Sequence, residues 1–145
     1  MNIVIDAGVI LKGYFADEAG HEYAQLIIKE YAEGLVELHA PHLIMYELVN
    51  ALVVAGNRKR LGNEQINEII AEIKEIEINL ITIEDIQRLF DISLKYGRSA
   101  YDAAYILLAE SLNMKMVTAD ARLYNAVKGK IPEVVWIEDY RKLKH

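Results

Sequence analysis

Short apolar runs recur along the chain, each separated from the next by a stretch of helical periodicity, and that alternation leaves few folds open. Asn2 to Ile5 is the first run, Val36 to Ala40 the second, Leu80 to Ile83 the third, Met114 to Thr118 the fourth and Val134 to Ile137 the fifth. The first helix is predicted from about Glu18 to Glu33, with Gly34 as its stop. The second starts at Pro41 and ends near Gly56, with Leu43, Ile44, Leu48, Ala51, Leu52 and Ala55 as its buried stripe. Asn63 caps a third through Ile66, Ile69, Ile70 and Ile73, forming an antiparallel hairpin with the second. A fourth carries Ile86, Leu89, Phe90 and Leu94 and stops at Gly97; a fifth, Ala100 to Leu112, follows a Ser99 cap; a sixth spans Ala121 to Val127. Strands alternating with helices predict an α/β three-layer sandwich with a parallel, doubly wound sheet of about five strands. Ligands then belong beyond the carboxyl ends of the strands, where the strand order reverses.

At 145 residues, without an internal repeat, low-complexity tract or linker, the chain is expected to form a single domain, 1–145. Cysteine is absent, which excludes disulfides, thiolate zinc sites and a cysteine nucleophile. Met1 to Leu11 has no basic segment leading an apolar run, and nothing approaches the ~20 apolar residues of a membrane helix. A cytoplasmic protein without a membrane partner is therefore expected. Sixteen basic against twenty-two acidic residues give a net charge of −6, which disfavours unaided capture of a polyanion. Cations held among the acids would offset that balance locally.

Four acids stand where a carboxylate is awkward by itself. Asp6 follows the first strand, and Asp120 follows the fourth; alone, Asp6 would begin a turn and Asp120 would cap the helix that starts at Ala121. Asp102, three residues past Ser99, would equally fit a capping box. Glu47 is harder to explain, because its spacing from Leu43, Ile44 and Ala51 puts it on the apolar face, where an unpaired carboxylate costs several kcal/mol, roughly. Taken together, four carboxylates converging on one end of the sheet would repel one another unless a divalent cation stood among them. Ligation by oxygen alone selects Mg²⁺ or Mn²⁺ over Zn²⁺, and such an ion can activate water against a phosphodiester.

Other chemistries are poorly supplied. Three serines, two threonines and the histidines His21, His39, His42 and His145 fall into no triad or metal spacing. No glycine-rich dinucleotide fingerprint or phosphate loop follows a strand.

The opening strand with Asp6, the helical Glu47, the segment YDAAYILLAE and the closing VTADARLY together resemble the PIN domain, in the manner of VapC-type toxins. The resemblance implies a metal-dependent endoribonuclease acting on single-stranded or structured RNA, with Mg²⁺ or Mn²⁺ as cofactor and Asp6, Glu47, Asp102 and Asp120 as catalytic and metal-holding acids. It further implies in-line attack by water leaving 5′-phosphate and 3′-hydroxyl ends, a homodimer, and a cognate antitoxin whose basic C-terminal segment covers the acidic site. Thr118 is an accessory residue that would bond Asp120 or a bound water, and Arg98, Arg122, Lys128 and Lys12 are candidates to hold phosphates. Two departures stand out: Ala7 and Gly8 replace the hydroxyl residue that many relatives carry after the first aspartate, and Ala121 and Arg122 follow Asp120 where some add a ligand. The basic turn at Arg58, Lys59 and Arg60 has two readings, a contact for RNA or a partner, and a solvated turn. The competing functions are a non-catalytic interaction module of the same fold and a phosphoacceptor domain, the latter opposed by the lack of an acidic neighbour beside Asp6.

Overall fold

The computed structural model describes residues 1–143 in full and the backbone of Lys144; His145 lies outside it. Five strands, β1 (Asn2–Ile5), β2 (Glu37–Pro41), β3 (Ile78–Ile81), β4 (Lys115–Thr118) and β5 (Val134–Trp136), form one sheet in the order β3-β2-β1-β4-β5. Every neighbouring pair is parallel. Ile3, Val4 and Ile5 are wholly buried, as a central strand covered on both faces requires. β1 is flanked by β2 on one side and β4 on the other, so the crossovers leave in opposite directions and the crevice between the ends of β1 and β4 is the switch point.

Among the described residues seven α-helices cover the sheet: α1 (Ala7–Lys12), α2 (His21–Ala32), α3 (Ile44–Asn57), α4 (Asn63–Lys74), α5 (Ile86–Tyr96), α6 (Ala100–Leu112) and α7 (Ala121–Val127). The sequence pattern anticipates six of them. The seventh, α1, occupies the segment read as a turn after Asp6: the Asp6 carboxylate accepts from the Val9 amide at 2.9 Å and starts a helix at once, with Ala7, Val9, Ile10 and Leu11 buried. Pro41 ends β2 instead of opening α3, because its carbonyl side can still complete the ladder while its missing N–H cannot matter at a strand's last residue. Gly62, not Asn63, is the N-cap of α4, with its amide donating to Gln65 Oε1 at 3.0 Å. β3 lies two residues earlier than the apolar run suggests, in the register Leu38 to Ile78 and Pro41 to Ile81. Ile137 leaves β5 and begins a 3₁₀ helix, Ile137–Lys144, which is anchored where the Tyr140 hydroxyl donates to the buried Glu30 carboxylate at 2.5 Å.

α6 is the central helix. Seven consecutive residues, Ala103 to Ala109, are buried, so it has no polar face over that span and packs between the sheet and α5. α5 contributes only Ile92 to the buried core, and Ile86, Phe90 and Leu94, four residues apart, face solvent. Met45, Tyr46, Val49 and Val53 of α3 are exposed as well. None of the helices is long and apolar enough to cross a membrane, over the residues described.

Candidate active site

The starts of four helices and the ends of two strands meet at the switch point. Asp6 follows β1 and caps α1; Asp120 follows β4 and caps α7, its Oδ1 accepting from the Arg122 and Leu123 amides at 2.9 and 3.1 Å. Glu47 lies in the first turn of α3, and Asp102 in the first turn of α6. All four line one open cavity of about 270 Å³, with Gly8, Lys12 and Tyr105 among the other walls.

Asp6 is the most enclosed of the four, 7% exposed. Burial pushes its carboxyl up to about 6, and the Asp120 charge adds to the rise, against hydrogen bonds from Thr118, Val9 and Ala119. Thr118 joins the two strand ends: its hydroxyl donates to Asp6 Oδ2 at 2.5 Å and accepts from the Asp120 amide at 3.0 Å. The hydroxyl therefore bonds the backbone of Asp120 and the side chain of Asp6, in place of the expected Asp120 carboxylate. Glu47 is half-buried, and its Oε1 accepts from the Tyr105 hydroxyl at 2.5 Å. Burial raises its pKa, the Tyr105 bond opposes the rise, and the charges of Asp102 and Asp120 reinforce it. Tyr105 is an addition that the sequence reading missed; it sits 58 positions from Glu47 and looks like an ordinary core aromatic.

Asp102 is held from two directions. Its amide donates to Ser99 Oγ at 3.1 Å, and its Oδ2 accepts from Arg98 Nε at 3.0 Å and Nη2 at 2.7 Å. The capping box is thus half formed, since the Asp102 carboxylate turns to Arg98. Arg98 is an ion-pair partner here and not a free phosphate ligand; Ser93 fixes its backbone by donating to its carbonyl. Lys12 lies in the cavity wall, paired with Glu18 at 3.4 Å. Arg122 is exposed on α7 and Lys128 lies farther along it; neither lines the acidic cavity. At the basic turn, Arg60 pairs with Asp17 at 2.9 Å and Glu18 at 3.0 Å and stacks 4.1 Å over the Phe15 ring, which gives it a structural task.

The donor set fits a hard divalent cation: four carboxylates line one space, and Asp6 and Glu47 are raised toward the neutral form by burial and by the neighbouring charges, of Asp120 on Asp6 and of Asp102 and Asp120 on Glu47. Among the described residues no three His, Asp or Glu side chains already stand in a metal-holding cluster. Among the described residues Asp102 Oδ1 and Asp120 Oδ2 accept no hydrogen bond, whereas both Asp6 oxygens are engaged, Oδ1 by the Val9 amide and Oδ2 by Thr118.

Compared with known proteins, residues 3–129 match the model of the PIN domain. The chain belongs to the PIN domain family. Among curated PIN relatives, "Ribonuclease VapC9" of Mycobacterium tuberculosis is 31% identical over 134 residues, covering 92% of this chain and 97% of that protein. "Ribonuclease VapC3" of Pyrobaculum aerophilum is 28% identical over 127 residues, 85% and 92% of the two chains. Two solved structures share the PIN architecture. The crystal structure of PAE2754 from Pyrobaculum aerophilum superposes with a TM-score of 0.60 at 20% identity over 100% of both chains. A toxin-antitoxin complex from Klebsiella pneumoniae gives 0.57 at 14% identity over 92% and 95%.

Proposed function

We propose that this PIN protein, taken as one domain over residues 1–145, is a Mg²⁺- or Mn²⁺-dependent endoribonuclease and the toxin of a VapBC-type toxin-antitoxin pair. The observation that carries the reading is the gathering of Asp6, Glu47, Asp102 and Asp120 around one cavity at the switch point. The names of the curated relatives agree with it. Asp6, Asp102 and Asp120 would hold the cation with Glu47 beside them. Once bound, the ion supplies positive charge against that developing at phosphorus and acidifies water within its reach.

The residues of the chain do the rest. Thr118 fixes the Asp6 carboxylate, Tyr105 fixes Glu47, Arg98 fixes Asp102, and the Arg122 and Leu123 amides fix Asp120, so all four acids are oriented before any ligand arrives. Hydrolysis of an RNA phosphodiester then leaves 5′-phosphate and 3′-hydroxyl ends. The exposed apolar residues of α3 and α5 suit a homodimer contact, and the acidic cavity suits the basic C-terminal segment of an antitoxin.

Replacing Asp6 or Asp120 with Asn removes charge at nearly constant volume. Either variant is expected to lower RNA cleavage by at least roughly a hundredfold while keeping the wild-type circular dichroism. Wild-type cleavage by both, in preparations free of contaminating nuclease, would refute the assignment. One observation favours a second reading, an interaction module without catalysis: Arg98 already neutralises Asp102. That reading predicts no cleavage of any RNA with either ion present.

A further inference from the structure

A second cavity of about 270 Å³ is lined by Ala121, Tyr124 and Asn125 of α7, by Lys128 at the C-cap of that helix, by Trp136 of β5 and by Asp139. Its floor is aromatic: the Tyr124 and Trp136 rings lie 5.7 Å apart between centroids, inclined at 53°. The Lys128 ammonium stands 5.9 Å from the Tyr124 centroid. Asp139, the one acid in the wall, is occupied by Lys142 at 2.6 Å.

The placement relates this cavity to the acids. Trp136 is the register partner of Thr118, whose hydroxyl binds Asp6, so it stands one strand away, about 5 Å across the sheet. Asp120, Tyr124 and Lys128 follow one another at intervals of four residues, and the amide of each later one donates to the carbonyl of the one before, at 3.0 and 2.8 Å. A carboxylate, an aromatic ring and an ammonium therefore form a row along one side of α7, with about 6 Å of rise per step. Arg122 and Lys128 enter no ion pair among the described residues, although Arg60, Arg88 and Arg98 all do. In a chain of net charge −6 these unpaired cations lie on the segment that Asp120 caps, two and eight residues past it.

We infer that the Tyr124–Trp136 cavity is a subsite for one nucleotide of a single-stranded RNA, next to the phosphodiester held at the acids. The base stacks on the aromatic pair, Lys128 meets the adjoining phosphate, and the Asn125 amide offers both a donor and an acceptor to the base edge. Stacking on an aromatic platform with a neighbouring cation is the general means of holding an unpaired strand. A basic peptide fits less well, because Lys128 would repel it and Asp139 is already paired. The inference rests on the nuclease reading, whose substrate it extends by one nucleotide.

Trp136 is the only tryptophan, so its emission reports this cavity alone. Full-length Asp6→Asn protein, titrated with short single-stranded oligouridylate or oligoadenylate, is expected to show saturable quenching, and an abasic ribose-phosphate oligomer to show little. With fluorescently labelled RNA followed by anisotropy, Trp136→Ala and Tyr124→Ala in the same background are expected to weaken binding on the order of tenfold. Lys128→Ala, an exposed change that leaves the packing alone, should weaken it severalfold and flatten its salt dependence; Trp136→Phe should retain most of the affinity. Unaltered emission and unchanged variant affinities, with cleavage by wild-type protein intact, would overturn the subsite and leave the nuclease reading standing. Quenching by RNA without cleavage would support the subsite and sink the nuclease reading. Quenching by an oligolysine peptide but not by RNA would overturn the subsite, as would the absence of both RNA binding and cleavage.

Discussion

Asp6 is ionised only against the pull of its surroundings. Its carboxyl titrates at about 6 in the folded protein against a usual value of 3.8, chiefly because it is buried. Below about pH 4 it is protonated in both folded and unfolded chains and exerts no effect. Between about pH 4 and pH 6 the unfolded chain loses the proton first, so stability falls as pH rises, by roughly 3 kcal/mol in all; above about pH 6 the loss is constant. Melting temperatures measured with a chelator present should therefore decline through that window in wild-type protein and decline less in Asp6→Asn. Mg²⁺ or Mn²⁺ should restore stability above pH 6 by compensating the same charge. Parallel pH profiles for the two proteins would show that Asp6 is not strained in this way. Of the two hydroxyls that orient these acids, that of Thr118 was legible in the sequence, although its carboxylate partner is Asp6 and not Asp120, and that of Tyr105 was not. Asp6 and Glu47 were visible because an acid beside an apolar run is chemically conspicuous, whereas Tyr105 was not, because nothing local distinguishes a core tyrosine from one that holds a carboxylate.

Among the elements, α6 ties the fold to the site most directly. Ser99 caps it by accepting from the Asp102 amide, and that bond holds the turn from which the Asp102 carboxylate projects. Ser99→Ala should cost about 1 kcal/mol, visible as a lower urea midpoint with an unchanged slope. A midpoint equal to that of wild type would mean that the cap is redundant. α6 and α7 were legible to the residue, since Ser99 and Asp120 are strong caps and Asn113, in a left-handed conformation, ends α6. β3 was displaced by two residues because apolar residues recur from Ile76 to Ile83 with no glycine or proline to mark an end, and only pairing with β2 selects Ile78–Ile81. α1 was missed because Gly8, a common turn residue, lies in its first turn; Asp6 was read for its charge, and its capping role supplies the helix that Gly8 disguised.

For the whole molecule, the parallel sheet and the placement of helices on both faces follow from the alternation of apolar runs and helical stretches, whereas the order β3-β2-β1-β4-β5 is set by strand pairing that alternation does not specify. What alternation could not show is how much apolar surface stays outside. Ile86, Phe90 and Leu94 repeat as regularly as a core stripe, yet are 79%, 59% and 71% exposed, with Tyr46 78% and Val49 58% exposed on α3. If a second copy covers these residues, Val49→Glu combined with Phe90→Glu should shift the mass in solution from a dimer to the 16.5 kDa monomer, measurable by sedimentation. An unchanged dimer mass would place the subunit contact elsewhere.

The bond from Thr118 to Asp6 joins residues 112 positions apart, and β4 is the strand that lies against β1 on that side. During synthesis the amino-terminal part of the chain, with Asp6 and Glu47, leaves the ribosome well before Lys115 to Asp120. Until that last segment arrives, β1 lacks one neighbour and Asp6 lacks the hydroxyl that orients it. The gathering of the four acids is therefore a late event in the life of each chain: a nascent chain halted between Asp102 and Asp120 carries three of them and lacks the one that caps α7.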